Sequence, residues 1–183
     1  MNIERIIAGM NKRFFTMRQA AWFIALLALV ISGCKAKEMD TPPKQTPVPA
    51  AQVTLPDLSG KMVSISQFKG RPLIVNFWAS WCSPCIAEMP EFEKIYSTWK
   101  GKGLEILAIN LKESKDIAGE FMQKNGYSFR TLLDESGEAS EKFQVFGLPT
   151  TFFIDDKGIV RYKYMGQLTK EIIFTGLESI SLS

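Results

Sequence analysis

The sequence predicts an α/β fold in which helices flank a central mixed β-sheet. Short apolar runs rich in β-branched and aromatic residues alternate along the chain with longer segments of helical periodicity, as expected of such folds. Of the 183 residues, 46% are hydrophobic and 22% are charged, which is the composition of a globular domain. A chain of this length has room for one ordinary domain and an appendage.

The first predicted elements are a hairpin, a buried strand and a helix. Two short strands at residues 53–55 and 62–65 flank a Ser-Gly turn at residues 59–60. Residues 73–78 form a short, β-rich apolar run, which favours a strand buried on both faces. A helix with apolar residues along one side is predicted at residues 83–99.

The alternation continues through the second half of the chain. A buried strand at residues 104–109 is followed by a helix at residues 114–125, which ends at Gly126. The remaining elements are predicted as a strand, a helix, two strands and a final helix, at residues 129–133, 139–146, 150–154, 159–164 and 168–180.

The N-terminus has the pattern of a targeting segment. Lys12, Arg13 and Arg18 precede an apolar run at residues 20–31, which is too short for a bilayer span of about 20 residues but suits a signal peptide. Residues 31–34, Ile-Ser-Gly-Cys, resemble a bacterial lipobox, which implies removal of residues 1–33 and lipidation of Cys34. An uncleaved anchor is the alternative, and both interpretations place the rest of the chain outside the cytoplasm. The true start, at Met1, Met10 or Met17, stays open.

Residues 34–51 are predicted to form a spacer. This segment contains four prolines among Lys, Thr and Gln, a composition that favours extended polyproline II structure. The globular domain is therefore predicted at residues 52–183.

The composition excludes several functional classes. The chain has no histidine, so Ser-His and Cys-His nucleophile pairs and histidine-containing metal sites are excluded. Its three cysteines are too few for a disulfide scaffold, and a net charge of +3 argues against a nucleic-acid partner. No metal and no cofactor are predicted.

Cys82 and Cys85 are the strongest candidates for chemistry, because they lie where a predicted strand ends and a helix begins. Unpaired N–H groups and the helix dipole stabilise a thiolate at a helix N-terminus. We therefore expect Cys82 to be the exposed attacking sulfur and Cys85 the buried resolving sulfur. Half of a zinc site and a purely structural disulfide are the alternatives, although Cys34 is the only other cysteine available as a ligand.

Residues 77–85, Phe-Trp-Ala-Ser-Trp-Cys-Ser-Pro-Cys, resemble the active-site signature of thioredoxin-fold proteins. The surrounding pattern resembles the TlpA/ResA-like branch, the membrane-tethered thioredoxins of bacterial envelopes. The match spans about residues 52–180, with further motifs at residues 60–61, 68–70, 88–90 and 147–155. The resemblance implies a thioredoxin fold with an N-terminal β-hairpin and a helix-strand insertion at residues 112–133, and a thiol-disulfide oxidoreductase activity.

The resemblance also implies roles for individual residues. Pro149 matches the cis-proline of the fold, which places the backbone of Leu148 beside Cys82, where it can pair with a substrate peptide. Trp81 is assigned to substrate binding with these two residues. Glu88 matches an acidic residue close to the cysteine pair, and its spacing from Cys85 supports this placement, because residues i and i+3 share a helix face. A solvated helix carboxylate is the alternative for Glu88.

Asn76 departs from the pattern of cytoplasmic thioredoxins, which carry a buried aspartate six residues before the first cysteine. An asparagine side chain cannot accept a proton from Cys85. With no histidine in the chain, Glu88 is the best candidate for the general base.

The predicted direction is reduction of protein disulfides. Between Ser80 and Glu93 there are three acidic residues and no Lys or Arg, and nearby negative charge raises a thiol pKa. The resemblance implies a membrane thiol transporter of the CcdA/DsbD kind as electron donor. It also implies substrates such as apocytochrome c or the copper-site cysteines of cytochrome oxidase assembly.

Three other functions stay open. A disulfide oxidase or isomerase on the same fold differs from a reductase in reduction potential. A peroxiredoxin-like thiol peroxidase uses a Thr-x-x-Cys site, whereas Ala79 occupies the threonine position here. A copper chaperone needs a cluster of Met or His ligands that the sequence does not show.

Overall fold

The computed structural model describes residues 46–181. This part of the chain forms eight strands and four α-helices: β1 (Val48–Pro49), β2 (Thr54–Pro56), β3 (Met62–Ser64), β4 (Leu73–Trp78), α1 (Ser83–Trp99), β5 (Glu105–Leu111), α2 (Lys115–Asn125), β6 (Arg130–Asp134), α3 (Glu138–Lys142), β7 (Thr150–Ile154), β8 (Ile159–Met165) and α4 (Lys170–Ser179). The predicted signal peptide, Cys34 and most of the predicted spacer lie outside the described residues.

Six of these strands form one mixed sheet in the order β1-β8-β7-β4-β5-β6. Strands β4, β5 and β6 run parallel, while β7 is antiparallel to β4 and β8 is antiparallel to β7. Strands β2 and β3 form the predicted hairpin as a separate two-stranded sheet. The observed architecture confirms the predicted α/β class with its central mixed sheet.

Strand β4 lies inside the sheet, between β7 and β5. All six of its side chains are buried, as its apolar sequence predicts. Its alternate residues enter two different hydrophobic clusters: Val75 and Phe77 face one side, whereas Ile74 and Trp78 face the other. The second cluster contains Met89 and Phe92 of α1. Residue 76 therefore shares the face of the sheet on which α1 packs.

The sheet begins earlier than the predicted boundary at residue 52. Val48 and Pro49, which fall within the predicted spacer, pair with Val160 and Ile159 as an antiparallel edge strand. Ala50 is buried, and its N–H donates to the carbonyl of Gly158 at 2.9 Å. An edge strand tolerates proline because one side of its backbone needs no partner in the sheet.

Helix α3 is shorter than predicted, since it ends at Lys142 and does not continue to Phe146. Phe143 caps the helix, and the next residue, Gln144, has a φ of 51°. A left-handed residue cannot continue a right-handed helix. The chain from Val145 to Leu148 is therefore a loop, which brings Phe146 to the surface.

Gly176 provides a sharp test of the packing of α4 on the sheet. A Cβ atom added at this position would overlap the ring of Phe153, a fully buried residue of β7. We expect Gly176→Ala to lower the free energy of unfolding by at least about 2 kcal/mol, because the core cannot accept the added methyl without moving. Chemical denaturation of both proteins measures this loss. Gly101→Ala is the matched control, since nothing lies within 4 Å of its added Cβ. Equal stability of the two variants would contradict the observed packing.

Candidate active site

The cysteine pair lies at the start of α1, directly after the turn that follows β4. Cys82 is the N-cap of the helix, and its Sγ accepts a hydrogen bond from the N–H of Cys85 at 3.3 Å. The two cysteines form a disulfide with an S–S distance of 2.04 Å. Once the bond is reduced, the same N–H group is placed to stabilise a thiolate on Cys82.

The two sulfurs differ in their access to solvent. Cys85 is fully buried, whereas Cys82 is 6% exposed. The exposure of Cys82 is smaller than expected for an attacking sulfur, yet Cys82 lines an open groove and Cys85 does not. Only Cys82 is therefore placed to meet a substrate from outside.

Glu88 is buried in the protein interior and is not a solvated helix carboxylate, so that alternative is wrong. Its side chain is 1% exposed. Oε1 accepts a hydrogen bond from Nδ2 of Asn76 at 2.8 Å, and Oε2 accepts one from the N–H of Leu168 at 2.8 Å. Burial raises the pKa of Glu88 to about 7, although both hydrogen bonds favour the carboxylate. The group can therefore gain or lose a proton near neutral pH.

Asn76 connects Glu88 to the strand that follows the proline loop. Its Nδ2 donates a second hydrogen bond to Oγ1 of Thr151 at 2.9 Å. Its Oδ1 is buried and has no hydrogen-bond partner among the described residues. The amide therefore contacts Glu88 with its donor side and leaves its acceptor side unused.

The peptide bond between Leu148 and Pro149 is cis, as the resemblance implies. Leu148 lines the same groove as Trp81 and Cys82, so the structure brings together the predicted substrate-binding residues around the sulfur. Pro149, which directly precedes β7, is buried. Within residues 46–181, no hydrogen bond uses the backbone N–H or carbonyl of Leu148. The backbone N–H and carbonyl of Leu148 are therefore free to pair with another backbone.

Glu113 belongs to the site but was missed in the sequence. Its carboxylate accepts hydrogen bonds from the backbone N–H of Ser80 at 2.7 Å, from the Ser80 hydroxyl, and from Nδ2 of Asn110 at 2.7 Å. Glu113 thus fixes the turn that carries Trp81 and Cys82. The available signal was its position two residues after β5, because the ends of adjacent parallel strands lie side by side.

Two further findings concern metals and membranes. Among residues 46–181, no group of three or more Cys, Asp or Glu side chains is arranged to hold a metal ion. In the same part of the chain, no helix combines the length and apolar character needed to cross a bilayer.

Comparisons with known proteins agree with this geometry. The sequence matches the model of the AhpC/TSA family over residues 47–163. It is 38% identical to the thiol-disulfide oxidoreductase ResA of Geobacillus kaustophilus over 131 residues, which cover 72% of this chain and 75% of the relative. The ResA of Bacillus subtilis is 36% identical over 124 residues, which cover 68% of this chain and 69% of the relative.

Solved structures give the same result. StoA from Bacillus subtilis superimposes with a TM-score of 0.60 at 27% sequence identity, covering 69% of this chain and 96% of StoA. A thiol:disulfide interchange protein of the thioredoxin family from Chlorobium tepidum has a TM-score of 0.66 at 27% identity, covering 74% of this chain and 97% of the relative. With its disulfide at the start of the helix that follows the central strand, the chain is a thioredoxin-fold thiol-disulfide oxidoreductase that belongs to the AhpC/TSA family and to its ResA-like members.

Proposed function

We propose that this oxidoreductase is an extracytoplasmic reductant of protein disulfides. The proposed direction, reduction of the substrate, rests on the acidic residues around the Cys82–Cys85 pair. Glu88 is buried one helical turn after Cys85, Glu113 is bonded to the turn before Cys82, and no Lys or Arg lies between Ser80 and Glu93. Negative charge disfavours a thiolate, and a less stable reduced form makes a stronger reductant.

The proposed reaction has two exchange steps. The Cys82 thiolate attacks one sulfur of the substrate disulfide, so that a mixed disulfide forms and the other substrate sulfur leaves as a thiolate, which takes up a proton. Cys85 then loses its proton to Glu88 and attacks Sγ of Cys82. The mixed disulfide breaks, the Cys82–Cys85 disulfide forms, and the second substrate sulfur leaves as a thiolate, which takes up the proton held by Glu88. Two electrons pass from the pair to the substrate.

Asn76 is suited to both protonation states of Glu88. In the observed arrangement its Nδ2 donates to the carboxylate. When Glu88 is protonated, rotation of the amide by about half a turn places Oδ1 where it accepts from the new O–H and from the hydroxyl of Thr151. The buried proton then has an acceptor.

The proposed substrate contacts are Trp81, Leu148 and Pro149. An extended segment of the substrate pairs with the free backbone of Leu148, as a strand pairs with a sheet edge. Leu148, which precedes the cis bond to Pro149, lines the same groove as Cys82. Substrates of this kind include apocytochrome c and cysteines of cytochrome oxidase assembly.

The proposed domain organisation places this chemistry at a membrane surface. Residues 1–33 act as a signal peptide, Cys34 carries the lipid, and the proline-rich segment up to the start of β1 holds the domain away from the bilayer. A membrane thiol transporter of the CcdA/DsbD kind reduces the pair again after each cycle.

The reduction potential separates this proposal from a disulfide oxidase. Equilibration of the Cys82–Cys85 pair with defined dithiothreitol buffers is expected to give a potential near the thioredoxin value of about −270 mV, or lower. A value near about −120 mV, typical of strong oxidants, would contradict the proposed direction.

The lipid anchor predicts a clear effect of changing Cys34. We expect Cys34→Ala to abolish incorporation of labelled fatty acid and to leave an unprocessed precursor, because the acyl acceptor is missing. Metabolic labelling in a bacterial host measures both effects. Cys85→Ala is the control, since it removes a thiol from the folded domain and leaves residues 31–34 intact. Equal labelling of the Cys34 variant and the parent would exclude this anchor.

A further inference from the structure

Lys163 connects strand β8 to the loop that precedes Pro149. It is half-buried and lies opposite Phe152 in the β7–β8 pair. Its Nζ donates a hydrogen bond to the carbonyl of Gln144 at 2.9 Å. The same Nζ lies 5.0 Å from the centre of the Phe152 ring and 5.8 Å from the centre of the Phe146 ring. One ammonium group therefore joins the sheet to two residues of the loop.

The carbonyl that accepts this hydrogen bond belongs to a residue in an uncommon conformation. Gln144 has a φ of 51°, in the left-handed region that residues other than glycine rarely occupy. Such a conformation persists where the surrounding structure holds it in place. Within residues 46–181, no backbone N–H donates to the Gln144 carbonyl. Lys163 therefore supplies the hydrogen bond that holds this carbonyl.

The environment of Lys163 favours a strong interaction with the loop. Burial lowers the pKa of Lys163, because the ammonium group is partly shielded from water. A hydrogen bond from a charged donor is stronger than one from a neutral donor, and a low local dielectric strengthens it further. Aromatic rings at these distances also attract a cation. Lys163 thus fixes the start of the loop by charge as well as by packing.

The residue that Lys163 holds lies close to the backbone that meets the substrate. Gln144 precedes Leu148 by four residues, and Leu148 lines the same groove as Cys82. Between them, the carbonyl of Gly147 accepts a hydrogen bond from Oγ1 of Thr150 at 2.7 Å. A displacement of about 1 Å in a group that positions a substrate can lower a reaction rate strongly. The position of Gln144 therefore affects where the Leu148 backbone lies relative to Cys82.

We propose that Lys163 is a positioning residue for disulfide exchange: it holds the loop of residues 144–148, so that the backbone of Leu148 is ordered before a peptide substrate arrives. The proposal rests on the proposed function, because the substrate segment pairs with Leu148 there. A backbone that is already ordered loses less entropy on binding, so removal of the Lys163 ammonium group weakens the binding of a peptide. A small disulfide without a peptide backbone does not use this pairing, and its reaction is unaffected.

The test compares four variants of the full chain with the parent. Lys163→Met keeps the approximate length of the side chain and removes its charge and its donor, and Lys163→Gln is a second variant without the charge. Lys163→Arg keeps both the charge and the donor. Lys157→Met is the matched control, because Lys157 is exposed in the turn between β7 and β8. The substrates are a peptide disulfide and bis(2-hydroxyethyl) disulfide, which has no peptide backbone.

We expect Lys163→Met to raise KM for the peptide disulfide about tenfold, with kcat and the rate on the small disulfide unchanged. Lys163→Gln changes KM in the same direction, Lys163→Arg stays close to the parent, and Lys157→Met changes neither substrate's kinetics. Amide hydrogen exchange is expected to accelerate locally at residues 145–148 in Lys163→Met and to stay unchanged there in Lys157→Met.

The proposal is overturned if Lys163→Met leaves KM for the peptide unchanged, if it slows the reactions of both disulfides equally, or if Lys157→Met has the same effect. A parent that reduces neither disulfide would instead refute the proposed function. The two failures are distinct, because hydrogen exchange in the loop does not depend on the reaction.

Discussion

Cys82→Ser is expected to lower the rate of disulfide reduction by at least about a thousandfold, while Cys85→Ser still carries out the first step, formation of the mixed disulfide. A serine hydroxyl does not attack a disulfide at neutral pH, and Cys85 cannot replace Cys82 because it is fully buried. In Cys85→Ser, the thiolate of Cys82 still forms the mixed disulfide, which then persists because no second sulfur resolves it.

These variants are measured with a peptide disulfide by turnover and by the amount of mixed disulfide on non-reducing gels. Cys34→Ala serves as a control for the loss of a cysteine outside residues 46–181, and its isolated protein is expected to react like the parent. Turnover that survives in Cys82→Ser, or faster alkylation of Cys85 than of Cys82 in the reduced parent, would reverse the assignment of the two sulfurs.

Glu88→Gln is expected to lower the apparent pKa of Cys82 and to make the pair more oxidising by about 30 mV or more, which corresponds to about 1.4 kcal/mol. The substitution removes a buried negative charge that disfavours the thiolate, and it removes the proposed proton acceptor of Cys85. Glu88 and the two thiols are expected to titrate as a coupled cluster, so the measured pKa values are macroscopic and describe the cluster as a whole.

The difference between the two proteins should depend on pH in a defined direction. The pKa of Glu88 is about 7, so in the parent protein its carboxyl group is charged above pH 8 and largely neutral below pH 6. Reduction potentials of parent and variant should therefore diverge at high pH and converge at low pH. Thiolate absorbance and redox equilibria from pH 5 to 9 measure this. If the thiolate titrations and the reduction potentials of parent and variant coincide at every pH, the proposed role of Glu88 in proton transfer is contradicted.

The same pKa has a consequence for stability. Because the folded-state pKa of Glu88 lies above its ordinary value of 4.5, the folded protein binds the proton more tightly than the unfolded chain. This contribution is fully present below pH 4.5 and is lost as the pH rises through 7. The expected loss is about 3 kcal/mol, and Glu88→Gln should lack it. Denaturation of the oxidised parent and variant at pH 5 and pH 8 measures the difference.

Much of the site could be predicted from the sequence because its signals are local. Each of three signals is contained in a few consecutive residues. They are the apolar run before Cys82, the i and i+3 spacing of Cys85 and Glu88, and the Leu-Pro step at residues 148–149. The structure places α1 at Ser83–Trp99, the same bounds that periodicity predicts.

The features that were missed depend on contacts between distant segments. Glu113 meets Ser80 only because β5 lies beside β4, and the N–H of Leu168 reaches Glu88 across 80 positions. Nothing near Glu88 in sequence reveals the second donor that holds its carboxylate. The register of a mixed sheet with crossover helices creates these contacts, and a single sequence does not specify that register.

Backbone conformation accounts for the remaining differences. Gln144 adopts positive φ without a glycine to signal it, so the helix predicted to reach Phe146 ends four residues earlier. Similarly, Pro49 lies within the predicted spacer, although an edge strand accepts proline without losing a ladder hydrogen bond.

Mass spectrometry of a trapped intermediate tests the role of the pair most directly. Reduced Cys85→Ala is mixed with a peptide disulfide, quenched with acid, and digested without reductant. We expect a single cross-linked species in which the substrate cysteine is bound to Cys82, formed in near-stoichiometric yield and absent from Cys82→Ser. If no adduct forms on Cys82, or if Cys82→Ser traps the peptide on Cys85 at the same rate, the proposed exchange through an attacking Cys82 is contradicted.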